Sequence, residues 1–125
     1  MRNISVALTT RQIIAREKTQ TRRLGWRFVR RGDLLQPVEK CQGLKAGERV
    51  QRVGGPVRVV AVRREPLEWI SLPDVTLEGF PEMTQEEFIA MFCKANKCER
   101  VAGVTVITFE YVEEGSADGN STSAE

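Results

Sequence analysis

One short segment, Lys18–Arg23, brings together groups that could do chemistry: an amine, two hydroxyls and two guanidiniums within six residues. It lies in a strongly basic region, because Glu17 is the only acid between Arg11 and Arg31. A segment of this charge favours a polyanionic partner, and nucleic acid is the natural candidate. The eight basic residues of the region are Arg11, Arg16, Lys18, Arg22, Arg23, Arg27, Arg30 and Arg31.

Two aromatic residues, Trp26 and Phe28, alternate with the cations of this region. Aromatic rings interleaved with arginines are typical of a surface that stacks bases and contacts phosphates. The alternative is that one of the two rings belongs to the core. The sequence therefore predicts a nucleic-acid or ligand contact made by five residues: Arg22, Arg23, Trp26, Arg27 and Arg30.

The chain contains no histidine. This excludes a Ser-His-Asp triad, a Cys-His pair and an imidazole metal site, so any catalysis must use lysine, carboxylates, hydroxyls or thiols. The three cysteines, Cys41, Cys93 and Cys98, lack the paired spacing of a zinc site. We therefore expect neither a metal nor another cofactor, and we interpret the cysteines as idle thiols in a reducing compartment.

Acidic residues dominate a later part of the chain. Between Glu65 and Glu99 there are eight acidic residues but only two basic ones, Lys94 and Lys97. The net charge of +2 therefore hides a dipolar chain, which can present a basic face to phosphate while acids line another wall. The sequence shows neither an apolar signal segment nor a run of roughly 18 apolar residues, and we expect a cytoplasmic protein.

Turn signals and hydrophobic alternation divide the chain into short elements. Two helices are predicted, one over 10–17 that opens with a capping box at Thr9, and one over 84–96 that opens with a second box at Thr84. Between them, a predicted loop over 66–73 anchors Trp69 and Ile70 inward. The predicted strands and extended segments are Ile4–Leu8, Lys18–Arg23, Leu34–Val38, Arg49–Val53, Val57–Val62 and Gly103–Val112.

The last predicted strand has two apolar faces, because successive side chains point to opposite sides. These faces are Ile107, Phe109 and Tyr111 on one side and Val104 and Val106 on the other. Five or six short strands with two or three short helices predict an α+β fold, a small, partly open mixed β-barrel with the helices packed outside. We expect one domain over 1–112 and a disordered tail over 113–125.

Three segments carry a recognisable pattern: Lys18-Thr19-Gln20-Thr21-Arg22-Arg23, Gly32-Asp33-Leu34-Leu35, and Leu77-Glu78-Gly79-Phe80 before a helix with Glu87-Phe88. Together they resemble the ASCH family, whose domains have a PUA-like β-barrel fold related to RNA-binding modules. Lys18 and Arg23 match the family signature Gly-x-Lys-x-x-x-x-Arg, and Arg16 stands in place of its Gly. The first segment is most similar to ASCH proteins carried by bacteriophages and prophages. The resemblance covers about Ile4 to Val112.

A subset of ASCH proteins are small bacterial amidohydrolases that release acetate from N4-acetylcytidine with a Lys, a Thr three residues later and a distant Glu. By this resemblance the catalytic set maps onto Lys18, Thr21 and Glu78. Threonine is a weak nucleophile that needs a base, and Lys18 serves as one only if its pKa is lowered. Glu78 would donate a proton to the leaving nitrogen, and Arg23 or backbone amides would stabilise the oxyanion.

The resemblance implies recognition of RNA or a modified nucleoside, with hydrolysis of an N4-acyl group as its sharpest form. Two alternatives are a non-catalytic RNA-binding module and a phage-encoded adaptor that binds a host protein. A plainer interpretation makes Lys18, Arg22 and Arg23 a solvated basic face and Thr21 an ordinary strand residue. We expect a monomer in the cytoplasm of a bacterial host.

Overall fold

Five strands and three α-helices make up the part of the chain that the computed structural model describes, residues 1–40, 47 and 49–113. In chain order they are β1 (Arg2–Ser5), α1 (Thr10–Ile14), β2 (Gln20–Arg23), β3 (Leu34–Val38), β4 (Val57–Pro66), α2 (Leu72–Leu77), α3 (Gln85–Asn96) and β5 (Gly103–Tyr111). Two short 3-10 turns, Ala7–Thr9 and Leu67–Trp69, precede α1 and α2.

All five strands form one sheet in the order β1-β3-β4-β5-β2, in which only β1 and β3 run parallel. No backbone pairing among the described residues joins the edge strands β1 and β2, and we call the gap between them the seam. The Arg23 side chain crosses the seam and donates a hydrogen bond to the Ser5 carbonyl (2.6 Å). The predicted α+β class is confirmed, with five strands where five or six were predicted, but the sheet is not closed into a barrel.

Strand β5 separates two clusters of buried apolar side chains. Ile107 and Phe109 pack in the first cluster with residues of β1, β3 and β4, and Tyr111 packs against it partly buried. Val104 and Val106 pack in the second cluster with residues of α2 and α3. The predicted division of the two faces is confirmed, because a regular strand keeps its two-residue period along its whole length.

Both predicted helices form, but only one has the predicted capping box. At the start of α3 the Thr84 hydroxyl accepts a hydrogen bond from the Glu87 amide (3.1 Å), and the Glu87 carboxylate accepts one from the Thr84 amide (2.8 Å). This capping box is confirmed. Helix α1 is shorter than the predicted 10–17, and the Thr9 side chain makes no capping hydrogen bond. The predicted capping box at Thr9 is wrong, because a 3-10 turn leads directly into α1.

The predicted inward position of Trp69 is wrong. Trp69 is 68% exposed, whereas Leu67 and Ile70 beside it are 0% and 1% exposed. The chain forms a 3-10 turn here instead of a loop, and this turn directs Leu67 and Ile70 into the second cluster. Size and apolarity alone therefore did not decide which of these side chains is buried.

Three further predictions concern the segment over 49–53, Cys41 and the C-terminal tail. The predicted strand over 49–53 is reduced to one isolated pairing of Arg52 with Val38. Cys41 and all but the first residue of the predicted tail over 113–125 lie outside the described residues. None of the described helices has the length and apolar character that crossing a membrane requires.

Candidate functional site

The backbone at the start of the Lys18–Arg23 segment is held by hydrogen bonds to α1 and α2. After α1 the chain reverses at Arg16, whose φ of 59° lies in the left-handed region that favours glycine. The Lys18 amide then donates to the Gln12 carbonyl (3.4 Å), and the Thr19 amide donates to the Leu77 carbonyl (3.0 Å). Arg16 therefore makes the turn at the position where the ASCH signature has Gly.

Glu78 reaches the same place from the end of α2. The chain turns immediately afterwards at Gly79, whose φ is 105°. A Cβ atom at Gly79 would lie 3.2 Å from Gln12 Cγ and 3.5 Å from Lys18 Cβ. Glycine is needed here both for the backbone conformation and for the close approach, and this approach brings Glu78 beside Lys18.

Lys18 and Glu78 form a buried pair. Lys18 Nζ donates a hydrogen bond to the Glu78 carbonyl oxygen (2.9 Å) and lies 3.5 Å from Glu78 Oε1, with the side chains 5% and 3% exposed. Burial lowers the pKa of Lys18 from 10.5 to about 8; Glu78 opposes this change, whereas Arg23 and Arg22 add to it. An amine with this pKa loses its proton within about one pH unit of neutrality, as a general base must.

Thr21 lies on β2 opposite Ile107 of β5 and is 4% exposed. Its Oγ1 accepts a hydrogen bond from Arg23 Nε (3.1 Å). A donor on this oxygen stabilises the negative charge that develops there when the hydroxyl proton leaves. The hydrogen bond from Arg23 to the Ser5 carbonyl holds this donor in place.

One cavity of about 200 Å³ is lined by all three residues of the implied catalytic set, Lys18, Thr21 and Glu78. It lies at the seam, where the chain that follows β1 also contributes to its lining. Its volume is below the roughly 300 Å³ of the smallest pockets for drug-sized ligands, so it suits a small ring system or an acyl group. The aromatic residues of its lining are Phe80, Phe88 and Phe92.

Arg22 does not lie on a basic surface. Its side chain is 0% exposed, and its Nη2 donates to Glu65 (2.6 Å) and Asp74 (3.2 Å). Its Nη1 donates to Glu78 (3.1 Å) and to Gln20. A guanidinium shared among three carboxylates in the interior is not available to phosphate. The interpretation of Arg22 as a phosphate contact is therefore corrected, because its partners are acids of the protein itself.

Glu65 and Asp74 are residues of the site that sequence reasoning missed. They lie on β4 and α2, 43 and 52 residues from Arg22 in the sequence. Burial opposes the ionisation of Glu65, but hydrogen bonds from Arg63 and Arg22 hold the pKa of Glu65 below its ordinary value. The only signal of these residues in the sequence is the excess of acids after Glu65.

The remaining predicted contact residues lie on the loop between β2 and β3. Arg27 and Arg30 are exposed, while Trp26 is half-buried against the first cluster with its ring 5.0 Å from that of Phe28. Phe28 is 48% exposed, and the Arg2 guanidinium lies 4.1 Å from its ring centroid. Arg2 and Phe28 line a second cleft of about 570 Å³. The structure therefore places these residues apart from the small cavity.

Within residues 1–40, 47 and 49–113, no group of three or more Cys, Asp or Glu side chains is arranged to hold a metal ion. The carboxylates of Glu65, Asp74 and Glu78 converge on a guanidinium instead. Cys93 and Cys98 are thiols near the end of α3. The groups that line the cavity can therefore supply an amine, a hydroxyl and a carboxylate.

No family model and no curated protein matches this sequence. Solved structures do match it, among them protein EF3133 from Enterococcus faecalis V583, of the family DUF984. That structure has a TM-score of 0.62 at 14% identity and covers 98% of this chain and 85% of its own. Protein PH0355 has a TM-score of 0.60 at 16% identity, over 89% of this chain and 96% of its own.

A third match is the ASCH domain from Lactobacillus crispatus JV V101. Its TM-score is 0.56 at 11% identity, over 87% of this chain and 77% of the other. At such low identity the likeness concerns the path of the backbone and not individual side chains. The chain therefore has the small PUA-like fold of an ASCH domain.

Proposed function

We propose that this protein hydrolyses an N4-acyl amide on a cytosine-type nucleobase or nucleoside in the cavity at the seam. The observation that carries the proposal is the buried Lys18 amine, with its lowered pKa, in one cavity with Thr21 and Glu78. Burial costs the charged Lys18 amine more than its pairing with Glu78 returns, so this lysine weakens the folded state. Its presence beside a hydroxyl and a carboxylate in a cavity supports a catalytic role.

In the proposed reaction, neutral Lys18 takes the proton from the Thr21 hydroxyl, and Thr21 Oγ1 attacks the acyl carbonyl carbon. The developing oxyanion is stabilised by a donor such as Arg23. The proton then passes from Lys18 to Glu78, 3.5 Å away, and on to the leaving nitrogen as the carbon–nitrogen bond breaks. A water molecule, deprotonated in the same way, cleaves the acyl-threonine ester, which releases the carboxylic acid and restores the Thr21 hydroxyl.

Incubation with N4-acetylcytidine tests the proposal, with chromatography to detect cytidine and acetate. Wild-type protein and a Lys94→Met control, which removes an exposed lysine, should release both products in equal amounts. A Thr21→Val variant, which keeps the shape of the side chain without the hydroxyl, should release neither. Turnover by Thr21→Val would contradict the assignment of the nucleophile.

The rate of hydrolysis should rise with pH. Lys18 acts in its neutral form, and burial lowers its pKa to about 8. We therefore expect kcat/KM to increase about tenfold per pH unit below pH 8 and to level off above it. Initial rates from pH 6 to 10 measure this. A profile that is flat across this range, or that falls as pH rises, would rule out a neutral lysine as the base.

A second candidate function, the binding of single-stranded RNA, is favoured by the loop between β2 and β3. There the exposed Phe28 ring lies under the Arg2 guanidinium, and Arg27 and Arg30 lie nearby in sequence and exposed. An exposed ring among guanidiniums suits base stacking with phosphate contacts. In this function the cavity would receive one base of the strand.

The Arg27→Ala/Arg30→Ala variant should bind single-stranded RNA more weakly and with less dependence on salt. Each phosphate contact removed should reduce the slope of log K against log salt by roughly 0.7. Fluorescence anisotropy with a labelled oligonucleotide measures the slope, and Arg100→Ala, outside the loop, is the matched control. Equal slopes for the two variants would exclude this loop as the contact surface.

Capture of a host protein after nuclease treatment would favour the adaptor alternative.

A further inference from the structure

The Glu78 carboxylate is divided between two cations. Its Oε2 accepts a hydrogen bond from Arg22 Nη1 (3.1 Å), and its Oε1 lies 3.5 Å from Lys18 Nζ. An arginine that faces a single carboxylate tends to bind both oxygens through two parallel hydrogen bonds. Here Arg22 uses only one nitrogen on Glu78, and this leaves Oε1 for Lys18.

The second nitrogen of Arg22 is occupied by two other acids. Nη2 donates to Glu65 Oε2 (2.6 Å) and to Asp74 Oδ2 (3.2 Å). Glu65 is fixed by a further hydrogen bond from Arg63 (2.9 Å). Asp74 is fixed by its capping box with Ser71 at the start of α2. Both acids therefore hold one end of the guanidinium away from Glu78.

These acids also balance charge in the interior. Lys18 and Arg22 bring two buried cations to the single carboxylate of Glu78, and Glu65 and Asp74 supply the compensating negative charge. Without that compensation, more of the positive charge of Arg22 would act on Lys18. The state of the catalytic amine thus depends on acids that do not touch it.

We propose that Glu65 and Asp74 are positioning residues, which restrain Arg22 so that Glu78 keeps one carboxylate oxygen for Lys18. The proposal rests on the proposed hydrolysis and adds to it how the base is controlled. Neither acid touches the substrate; each acts through Arg22. Loss of either charge weakens the hold on Arg22 Nη2, so that Arg22 competes with Lys18 for the Glu78 carboxylate.

Other ionisable groups that face Lys18 do not replace this partner. Arg22 and Arg23 approach from β2, and both carry positive charge. Tyr111 approaches from β5 and donates its hydroxyl hydrogen bond to the Lys18 carbonyl. Burial raises the pKa of Tyr111 to about 12, with Arg16 opposing, so this hydroxyl stays neutral while Lys18 titrates. Glu78 is therefore the acid that matters for the ionisation of Lys18.

The test measures the titration of Lys18 directly. The folded protein is labelled with trace acetic anhydride at a series of pH values, and mass spectrometry of the Lys18 peptide gives the midpoint. Glu65→Gln and Asp74→Asn should each lower this midpoint by about one pH unit. At pH 9.5, where Lys18 is neutral in every variant, each should also reduce kcat by about tenfold with little change in KM, because Glu78 no longer takes the proton from Lys18. The control, Glu86→Gln, removes an exposed acid paired with Arg100 and should change neither value.

The outcomes separate the two proposals. A lower Lys18 midpoint in both variants, in a wild-type protein that hydrolyses nothing, would support the control of Lys18 and overturn the hydrolysis. An unchanged midpoint in the folded variants would overturn the positioning role even if hydrolysis is confirmed. Circular dichroism checks folding. Asp74→Asn remains informative if Glu65→Gln does not fold, because the asparagine side-chain oxygen can still accept the hydrogen bond that the Ser71 amide donates at the start of α2.

Discussion

The Lys18→Met variant is expected to lose hydrolysis of N4-acetylcytidine by about 10²- to 10⁴-fold, the usual contribution of a general base. Methionine fills a similar volume without an amine, so the Thr21 hydroxyl has no proton acceptor. The same change removes the positive charge of a buried amine, whose pKa burial lowers to about 8. Burial costs this charge more than its pairing with Glu78 returns, and Arg22 still pairs with Glu78 in the variant. The variant should therefore remain folded and equal or exceed the wild type in its free energy of unfolding at pH 7.

The pH dependence of stability gives an independent readout of Lys18. The amine titrates near 8 in the folded chain and near 10.5 when unfolded. Between these two pH values the unfolded chain binds more protons than the folded chain, so the free energy of unfolding rises with pH. Below about pH 8 Lys18 is charged in both states, and the loss of stability caused by its burial is complete. Urea unfolding at pH 7 and 10 should show this rise in the wild type and in Lys94→Met, and Lys18→Met should lack it. An equal rise in all three proteins would mean that Lys18 is not buried.

The Arg22→Met variant should lose about 3–5 kcal/mol of stability, the usual effect of removing one partner from a buried ion pair. The change leaves Glu65, Asp74 and Glu78 close together without their shared cation, and these side chains are only 11%, 16% and 3% exposed. Urea unfolding measures the loss.

Arg63→Met is the matched control, because Arg63 pairs with two of the same acids but is 47% exposed. It should cost less than about 1 kcal/mol, as exposed ion pairs do. Arg22→Lys keeps the charge without the forked donors and should fall between the two variants. If Arg22→Met is no less stable than Arg63→Met, the buried cluster does not hold the site together.

Local patterns predicted the elements that local chemistry determines. The two faces of β5 follow from strict alternation of apolar residues, and the start of α3 follows from Thr84 and Glu87. The shortened α1 and the exposed Trp69 depart from prediction, because the packing of neighbouring elements sets them. The sequence predicted five or six strands, of which five form. Whether the two edge strands pair could not be predicted, since pairing depends on the curvature of the whole sheet.

The role of Arg22 shows most clearly what could not be predicted from the sequence. In the sequence it is one of eight cations in a basic stretch, and such clusters are usually solvated. Its acid partners are 43 to 56 residues away, and only the fold brings them together. The resemblance to ASCH proteins selected Lys18, Thr21 and Glu78, which line one cavity. The clustering of basic residues, in contrast, predicted an exposed Arg22, whereas its side chain is buried.

The composition of the cavity wall bears on how this protein could evolve. Phe80, Phe88 and Phe92 line the cavity and also belong to the second core cluster. A change of ligand made through these residues would remove buried volume, and each such truncation costs about 3–5 kcal/mol. Leu8 lines the same cavity but is 63% exposed. New ligand preferences should therefore arise first on the Leu8 side, where substitutions are cheap, while the aromatic side stays constant among descendants of this chain.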